Sequence, residues 1–187
     1  HKAAGLTKEA IGYENGGHGC VTSAVQVLSQ PGDCILLHRP FYLGFSEDIE
    51  TIGRKSIYSD LKKDEDGIYR MDFEDMDAKI KKYRIHLVIF CSPHNPTGRV
   101  WERWELEKAM EIFEKNKCYV ISDEIWADLT FSGHQHIPTQ MVNEWARQHT
   151  IAAYAPSKTF NLAGMIGSYH IIYNPYLRDR IRTYGEH

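Results

Sequence analysis

The stretch "IHLVIFCSPHNPTG", residues 85–98, decides how the rest of the chain is read. Its first eight residues are almost unbroken apolar sequence, so they lack the alternation of a strand with one wet face. A short continuous run of this kind suits a strand covered on both sides. A tight turn built on Pro, Asn, Thr and Gly follows immediately.

Six further runs have similar character: "EAIGYE" (9–14), "DCILLHR" (33–39), "KSIYSD" (55–60), "KCYVISDE" (117–124), "TIAAYA" (150–155) and "SYHIIYN" (168–174). Helix-length segments separate most of them. "CVTSAVQVLSQ" (20–30) is closed by "PGD", and "FYLGFSEDIETIG" (41–53) ends at Gly53. "DFEDMDAKIKKY" (72–83) opens on an Asp suited to an N-cap and carries lysines in its last turn. "ERWELEKAMEIFEKN" (102–116) has apolar residues at 106, 109, 110 and 113. Strands alternating with helices predict a three-layer α/β/α fold around a mostly parallel seven-stranded sheet. Only 158–167 separates the last two runs, too little for a helical crossover, so one strand, the final one, is expected to run antiparallel to its predecessor.

The bulk numbers narrow the function classes. The 187 residues suffice for a single sizeable core, and 42% hydrophobic with 25% charged residues is ordinary globular composition. A formal net charge of -3 offers no basic excess for nucleic acid. Cys20, Cys34, Cys91 and Cys118 form no CxxC pair, and the ten histidines fall in no HExxH or HxH pattern, so no metal site is expected. No run reaches the roughly 20 apolar residues of a membrane span, and the N-terminus is not a signal segment, so no membrane partner and a cytoplasmic setting are expected. The chain opens on "HKAAGLTKE" without Met and closes on "RTYGEH" in what reads as a helix, which suggests a fragment.

In open α/β sheets the ligand sits beyond the carboxyl ends of the strands. Five such ends carry candidate groups. "NGGHGCV" (15–21) has three glycines before a helix, either a flexible turn or a cradle of backbone amides for phosphate. "RPFY" (39–42) offers Tyr42 as a flat face for stacking, though burial in the core is the commoner use of Tyr. In "HNPTG" (94–98) Asn95 is either a turn former or an amide donor. "VISDEIW" (120–126) ends on Asp123 and Glu124, costly at a buried strand end unless paired, and one useful partner would be a protonated ring nitrogen. "PSKTFN" (156–161) carries Lys158, which taken alone reads as a solvated surface lysine. Together, a phosphate cradle, a stacking ring, an amide donor, a carboxylate and an amine are what pyridoxal phosphate requires.

The ordered set GGHGCV, PFY, NPTG, SDEIW, SKTFN resembles the large domain of fold-type I pyridoxal-phosphate enzymes, the class I/II aminotransferase superfamily. "SPHNPTGRVW", "SDEIWADL" and "APSKTFNLAG" resemble more narrowly its cystathionine β-lyase branch, the MalY/PatB-type C–S lyases. The resemblance runs from Gly12 to about Arg182. It implies that the whole of 1–187 is one cofactor-binding domain and that pyridoxal 5'-phosphate is the cofactor. Lys158 would condense with that cofactor and later move the Cα proton of an amino-acid substrate. Asp123 would pair with the pyridine nitrogen, Asn95 would bond the phenolic oxygen, and Tyr42 would stack on the ring. The backbone of Cys20 and Val21, with Ser157 nearby, would hold the phosphate. Trp126 stands where many relatives have a Tyr donating to the phenolic oxygen.

One departure bears on the reaction. Most aminotransferases of this family place an Arg eight residues after the lysine, where this sequence has Ile166 in a shortened turn, "GMIGS". The lyase branch tolerates the shortening, so the resemblance favours α,β-elimination over transamination. Relatives are about twice this length, adding an N-terminal segment and a small domain that supplies a substrate-binding arginine, and they place the active site at a homodimer interface. A non-catalytic cofactor-binding or interaction fragment is therefore the alternative from another class. A nicotinamide-binding Rossmann domain is disfavoured because GxGxxG is missing.

Overall fold

The computed structural model describes residues 5–185, so the ends of the expected 1–187 domain lie outside the described residues. Each of the seven apolar runs contributes one strand to a single sheet. They are β1 (Ile11–Glu14), β2 (Cys34–Arg39), β3 (Lys55–Asp60), β6 (Leu87–Cys91), β7 (Tyr119–Asp123), β8 (Thr150–Tyr154) and β9 (Ser168–Ile171). The spatial order is β1-β9-β8-β7-β6-β2-β3. β8, β7, β6, β2 and β3 pair in parallel, while β9 runs antiparallel to both β8 and β1. The expected reversal of the last strand is thus present, enforced by the short connection before it. A two-stranded hairpin, β4 (Lys62–Lys63) and β5 (Tyr69–Arg70), lies outside the sheet and was not marked in the sequence.

The unbroken apolar strands are buried on both faces. All five residues of β6 and all five of β8 are buried. The pleat sends alternate residues to opposite cores. Leu87 and Ile89 join Ile35, Leu37, Ile121 and Ile151 on one face. There they meet α1 (Gly16–Leu28), α2 (Gly44–Thr51) and α7 (Pro175–Tyr184) through Val21, Val25, Ile49, Leu177 and Ile181. Val88 and Phe90 join Leu36 and Val120 on the other face, against Met76 and Ile80 of α3 (Phe73–Tyr83) and Leu106, Met110 and Phe113 of α4 (Arg103–Lys115). Two short helices complete the chain, α5 (Glu144–His149) and α6 (Pro156–Thr159).

Local signals set most helix ends. Asp72 caps α3, its side chain accepting from the Asp75 N–H at 3.1 Å. Glu102 and Glu105 form a reciprocal capping box at α4. Buried Glu105 also pairs with Arg99 and Arg70, which compensates the carboxylate for leaving water. α1 departs from expectation by starting at Gly16 rather than near Cys20, so Gly16, Gly17 and Gly19 lie in its first turns. Glycine disfavours helix interiors by roughly 1 kcal/mol, so this stretch reads locally as loop.

Candidate active site

The carboxyl ends of β2, β6, β7 and β8 and the N-terminus of α1 surround a cavity of about 270 Å³. That volume lies near the lower end of the range for small-ligand pockets. Seven of the eight residues singled out in the sequence line it: Val21, Tyr42, Asn95, Asp123, Trp126, Ser157 and Lys158. Cys20 does not line it; its buried thiol is pushed well above the ordinary range by burial, with the charges of Glu14 and Asp123 adding to the effect.

α1 starts one turn earlier than expected, which moves the amides that would be free for an anion. In an α-helix the N–H groups preceding the fourth helical residue have no intrahelical acceptor. With α1 beginning at Gly16, the free amides belong to Gly16, Gly17 and His18, whereas those of Cys20 and Val21 fall inside the helical ladder. Val21 lines the cavity. Gly16, Gly17 and His18, at the positive helix end, line the cavity one turn earlier than expected. Gly16 has φ +76, a conformation that disfavours side chains, and a Cβ on Gly17 would lie 2.6 Å from Ile125 Cδ1.

β7 delivers two adjacent carboxylates that the structure separates by role. Asp123 is 8% exposed and faces the cavity, its Oδ1 accepting from the Ile125 N–H at 3.0 Å. Burial pushes its carboxyl up to about 6, with the neighbouring Glu124 charge acting in the same direction. The Ile125 N–H, His18 and Lys158 pull the other way. A cationic ring nitrogen is the kind of partner such a carboxylate needs. Glu124 points away into a closed network, accepting from Ser122 Oγ, the Thr139 N–H and Tyr154 Oη, with His136 Nε2 at 2.7 Å. Burial and the Glu124 charge hold the Tyr154 phenol well above its usual range.

Lys158 follows β8 on α6, exposed at the cavity rim, with Nζ 5.6 Å from the centroid of the Trp126 ring. Asn95 is fixed by its backbone, its N–H donating to Cys91 Sγ at 3.4 Å. Tyr42 is 43% exposed and packs edge-on against Phe45. Ile166 also lines the cavity and adopts φ 45.

His18 and Asp48 line the cavity as well, and neither was singled out in the sequence. The two meet across 30 residues, and only the packing of α1 on α2 unites them. A cue was present in the histidine of "NGGHG", but nothing local paired it with an acid. Among the described residues, Glu14, Cys20 and His170 bring potential metal-ligating atoms within 4.8 Å of one another. His170 Nδ1 already pairs with Glu14 Oε1 at 2.7 Å, and three donors fall short of the four a closed structural site uses.

A three-layer α/β sheet with a lysine, a carboxylate and a helix start around one cavity defines a cofactor-dependent enzyme architecture. The chain belongs to the family Aminotransferase class I and II, which it matches over residues 1–183. It is 37% identical over 167 residues to cystathionine beta-lyase PatB of Bacillus subtilis, covering 89% of this chain and 43% of that protein. Protein MalY of Escherichia coli is 34% identical over 159 residues, covering 85% of this chain and 40% of MalY. The structure superposes on cystalysin from Treponema denticola, which contains a pyridoxal 5'-phosphate cofactor. The TM-score is 0.91 at 36% identity, over 97% of this chain and 47% of cystalysin. The PLP-bound C-S lyase from Staphylococcus hominis gives 0.90 at 32% identity, over 95% and 45%. The chain thus spans less than half the length of these relatives.

Proposed function

We propose that residues 1–187 form the cofactor-binding large domain of a pyridoxal-phosphate-dependent C–S β-lyase. Its substrates would be cystathionine- or cysteine-type amino acids, cleaved by α,β-elimination to a thiol, pyruvate and ammonia. The observation that carries this reading is the placement of Asp123 and Lys158 at the ends of neighbouring parallel strands, facing one cavity that also receives the α1 N-terminus. The donor set fits the cofactor: free amides for a phosphate, an exposed aromatic face at Tyr42, an amide at Asn95 and a buried carboxylate seeking a cation.

When bound, pyridoxal phosphate supplies an electrophilic carbonyl and a protonated ring able to accept negative charge from a substrate's α-carbon. The chain's residues do the rest. Gly16, Gly17 and His18 would hold the phosphate by backbone N–H groups, with the Ser157 hydroxyl nearby. Asp123 would pair with the ring nitrogen and favour its protonated form. Tyr42 would stack on the ring, and Asn95 with Trp126 would hold its phenolic oxygen. Lys158 Nζ would hold the carbonyl end of the cofactor and would move the proton at the substrate's Cα.

Borohydride treatment after loading with pyridoxal phosphate tests the assignment. The chain should acquire a visible absorbance band that borohydride abolishes, fixing the cofactor mass to the Lys158 peptide. A Lys158→Ala chain with an undiminished band would overturn it. An aminotransferase is the second reading, favoured by the family match. Pyruvate release without a keto-acid acceptor supports the lyase, whereas strict dependence on the acceptor supports transamination. Homodimerisation and a cytoplasmic setting belong to the same proposal; among the described residues no helix is long and apolar enough to cross a membrane.

A further inference from the structure

We infer that His18 and Asp48 are positioning residues for Tyr42, forming an Asp48–His18–Tyr42 relay that fixes the aromatic wall of the cavity. The inference rests on the cofactor-site reading and adds to it two residues from α1 and α2, helices that also bring Val21 and Phe45 to the cavity.

His18 Nδ1 lies 3.0 Å from both Asp48 Oδ1 and Oδ2, and His18 Nε2 lies 3.0 Å from Tyr42 Oη. A carboxylate can only accept, so Asp48 holds the proton on Nδ1 and leaves the Nε2 lone pair to accept from the Tyr42 hydroxyl. The Tyr42 O–H is therefore directed at His18 and its ring edge is anchored. The packing agrees: the His18 and Tyr42 rings are 5.5 Å apart and tilted, and Phe45 meets Tyr42 edge-on at 5.6 Å. Gly44 is part of the device, because a Cβ there would lie 2.2 Å from His18 Cε1 and 2.6 Å from Tyr42 Cε1. The side chain of Asp48 is only 13% exposed, so the relay is anchored in the protein rather than in solvent. An exposed tyrosine without these bonds would sample several rotamers; a tethered one presents one face to a planar ligand without that entropic loss.

Cofactor titration of the chain, followed by tryptophan fluorescence and by visible-region circular dichroism of the bound pyridoxal phosphate, tests the relay. His18→Leu and Tyr42→Phe should each weaken binding about five- to tenfold, the weight of one net hydrogen bond, and reduce the visible dichroic band. The double variant should bind no more weakly than either single one. Asp48→Asn, whose amide oxygen can still accept from Nδ1–H, should retain most of the affinity that Asp48→Ala loses. Unchanged melting temperatures would separate these effects from misfolding. Should a variant fail to fold, imidazole nitrogen shifts in the wild-type chain without cofactor decide, the Nδ1–H tautomer supporting the relay and the Nε2–H tautomer overturning it. Additive losses in a chain that binds cofactor overturn the positioning role alone. A wild-type chain that binds no pyridoxal phosphate overturns the cofactor site and the role together.

Discussion

Gly12 lies directly opposite His170 in the β1–β9 pairing, and the imidazole occupies the space a side chain at 12 would need. A Cβ on Gly12 would sit 2.2 Å from Nε2 and 2.3 Å from Cε1 of His170, whose Nδ1 is held by Glu14. The ring cannot swing away without breaking that buried bond. Gly12→Ala should therefore destabilise the chain by about 1–3 kcal/mol, the usual range for overpacking. Urea denaturation checks the value, and an unchanged midpoint would show that the strand pair relaxes freely.

Asp123→Asn should stabilise the cofactor-free chain in a pH-dependent way. The folded-state value of about 6 lies above the ordinary 3.8, so between these the folded form keeps a proton that the unfolded chain has released. Stability linked to this group is greatest below the unfolded value and declines as pH rises through about 6. The asparagine variant removes that decline and should gain up to about 3 kcal/mol at pH 7–8 and little near pH 4. Equal gains at both pH values would contradict the account. On the proposed function the same variant should bind pyridoxal phosphate more weakly, since the ring nitrogen would lose its anionic partner.

His38 and His94 set an acid limit of the opposite sign. Burial lowers His38 to about 3, helped by the charge of His94, and burial lowers His94 to about 4. Below the ordinary 6.5 the unfolded chain takes up protons that the folded chain refuses, so stability present above pH 6.5 is lost as pH falls toward 4. His38→Gln should flatten the stability profile between pH 6.5 and 4. An unaltered slope in that window, measured by denaturant midpoints, would assign the acid sensitivity elsewhere.

Ile166 carries a local strain that a substitution can relieve. Its φ of 45 places a β-branched residue in the left-handed region, and the side chain is 64% exposed, so little packing compensates. Ile166→Asn should raise stability by about 1 kcal/mol. Calorimetry measures the gain, and a loss instead would mean that the contact of Ile166 with the α1 start outweighs the strain.

The strands were legible because apolar runs such as 85–92 cannot be satisfied anywhere but between two layers, and the α3 start was legible because Asp72 makes a local bond. The start of α1 was not, since glycines at 16, 17 and 19 oppose helix locally and are tolerated only where the sheet supports them. The sequence showed Asp123 and Glu124 as carboxylates in need of partners at a strand end, but the network that claims Glu124 comes from Thr139, His136 and Tyr154, all remote in sequence. Lys158 was legible only through the company of other strand ends. His18 and Asp48 escaped because their pairing is a product of tertiary packing. The β4–β5 hairpin, with two residues in each strand, is too short to carry a periodic signal.

The reversed strand β9 also has a kinetic consequence. Among the described residues β1 finds its one sheet neighbour roughly 160 residues further along the chain, and Ser168 Oγ then bonds the carbonyls of Glu14 and Gly16. Contacts of such sequence separation form late, because loop closure precedes any reward from pairing. A nascent chain could assemble β2, β3, β6 and β7 while the stretch leading into α1 still lacks its strand partner. The start of α1 and the cavity wall it forms would then be among the last parts of the molecule to acquire their shape, making a complete cavity a late reporter of folding.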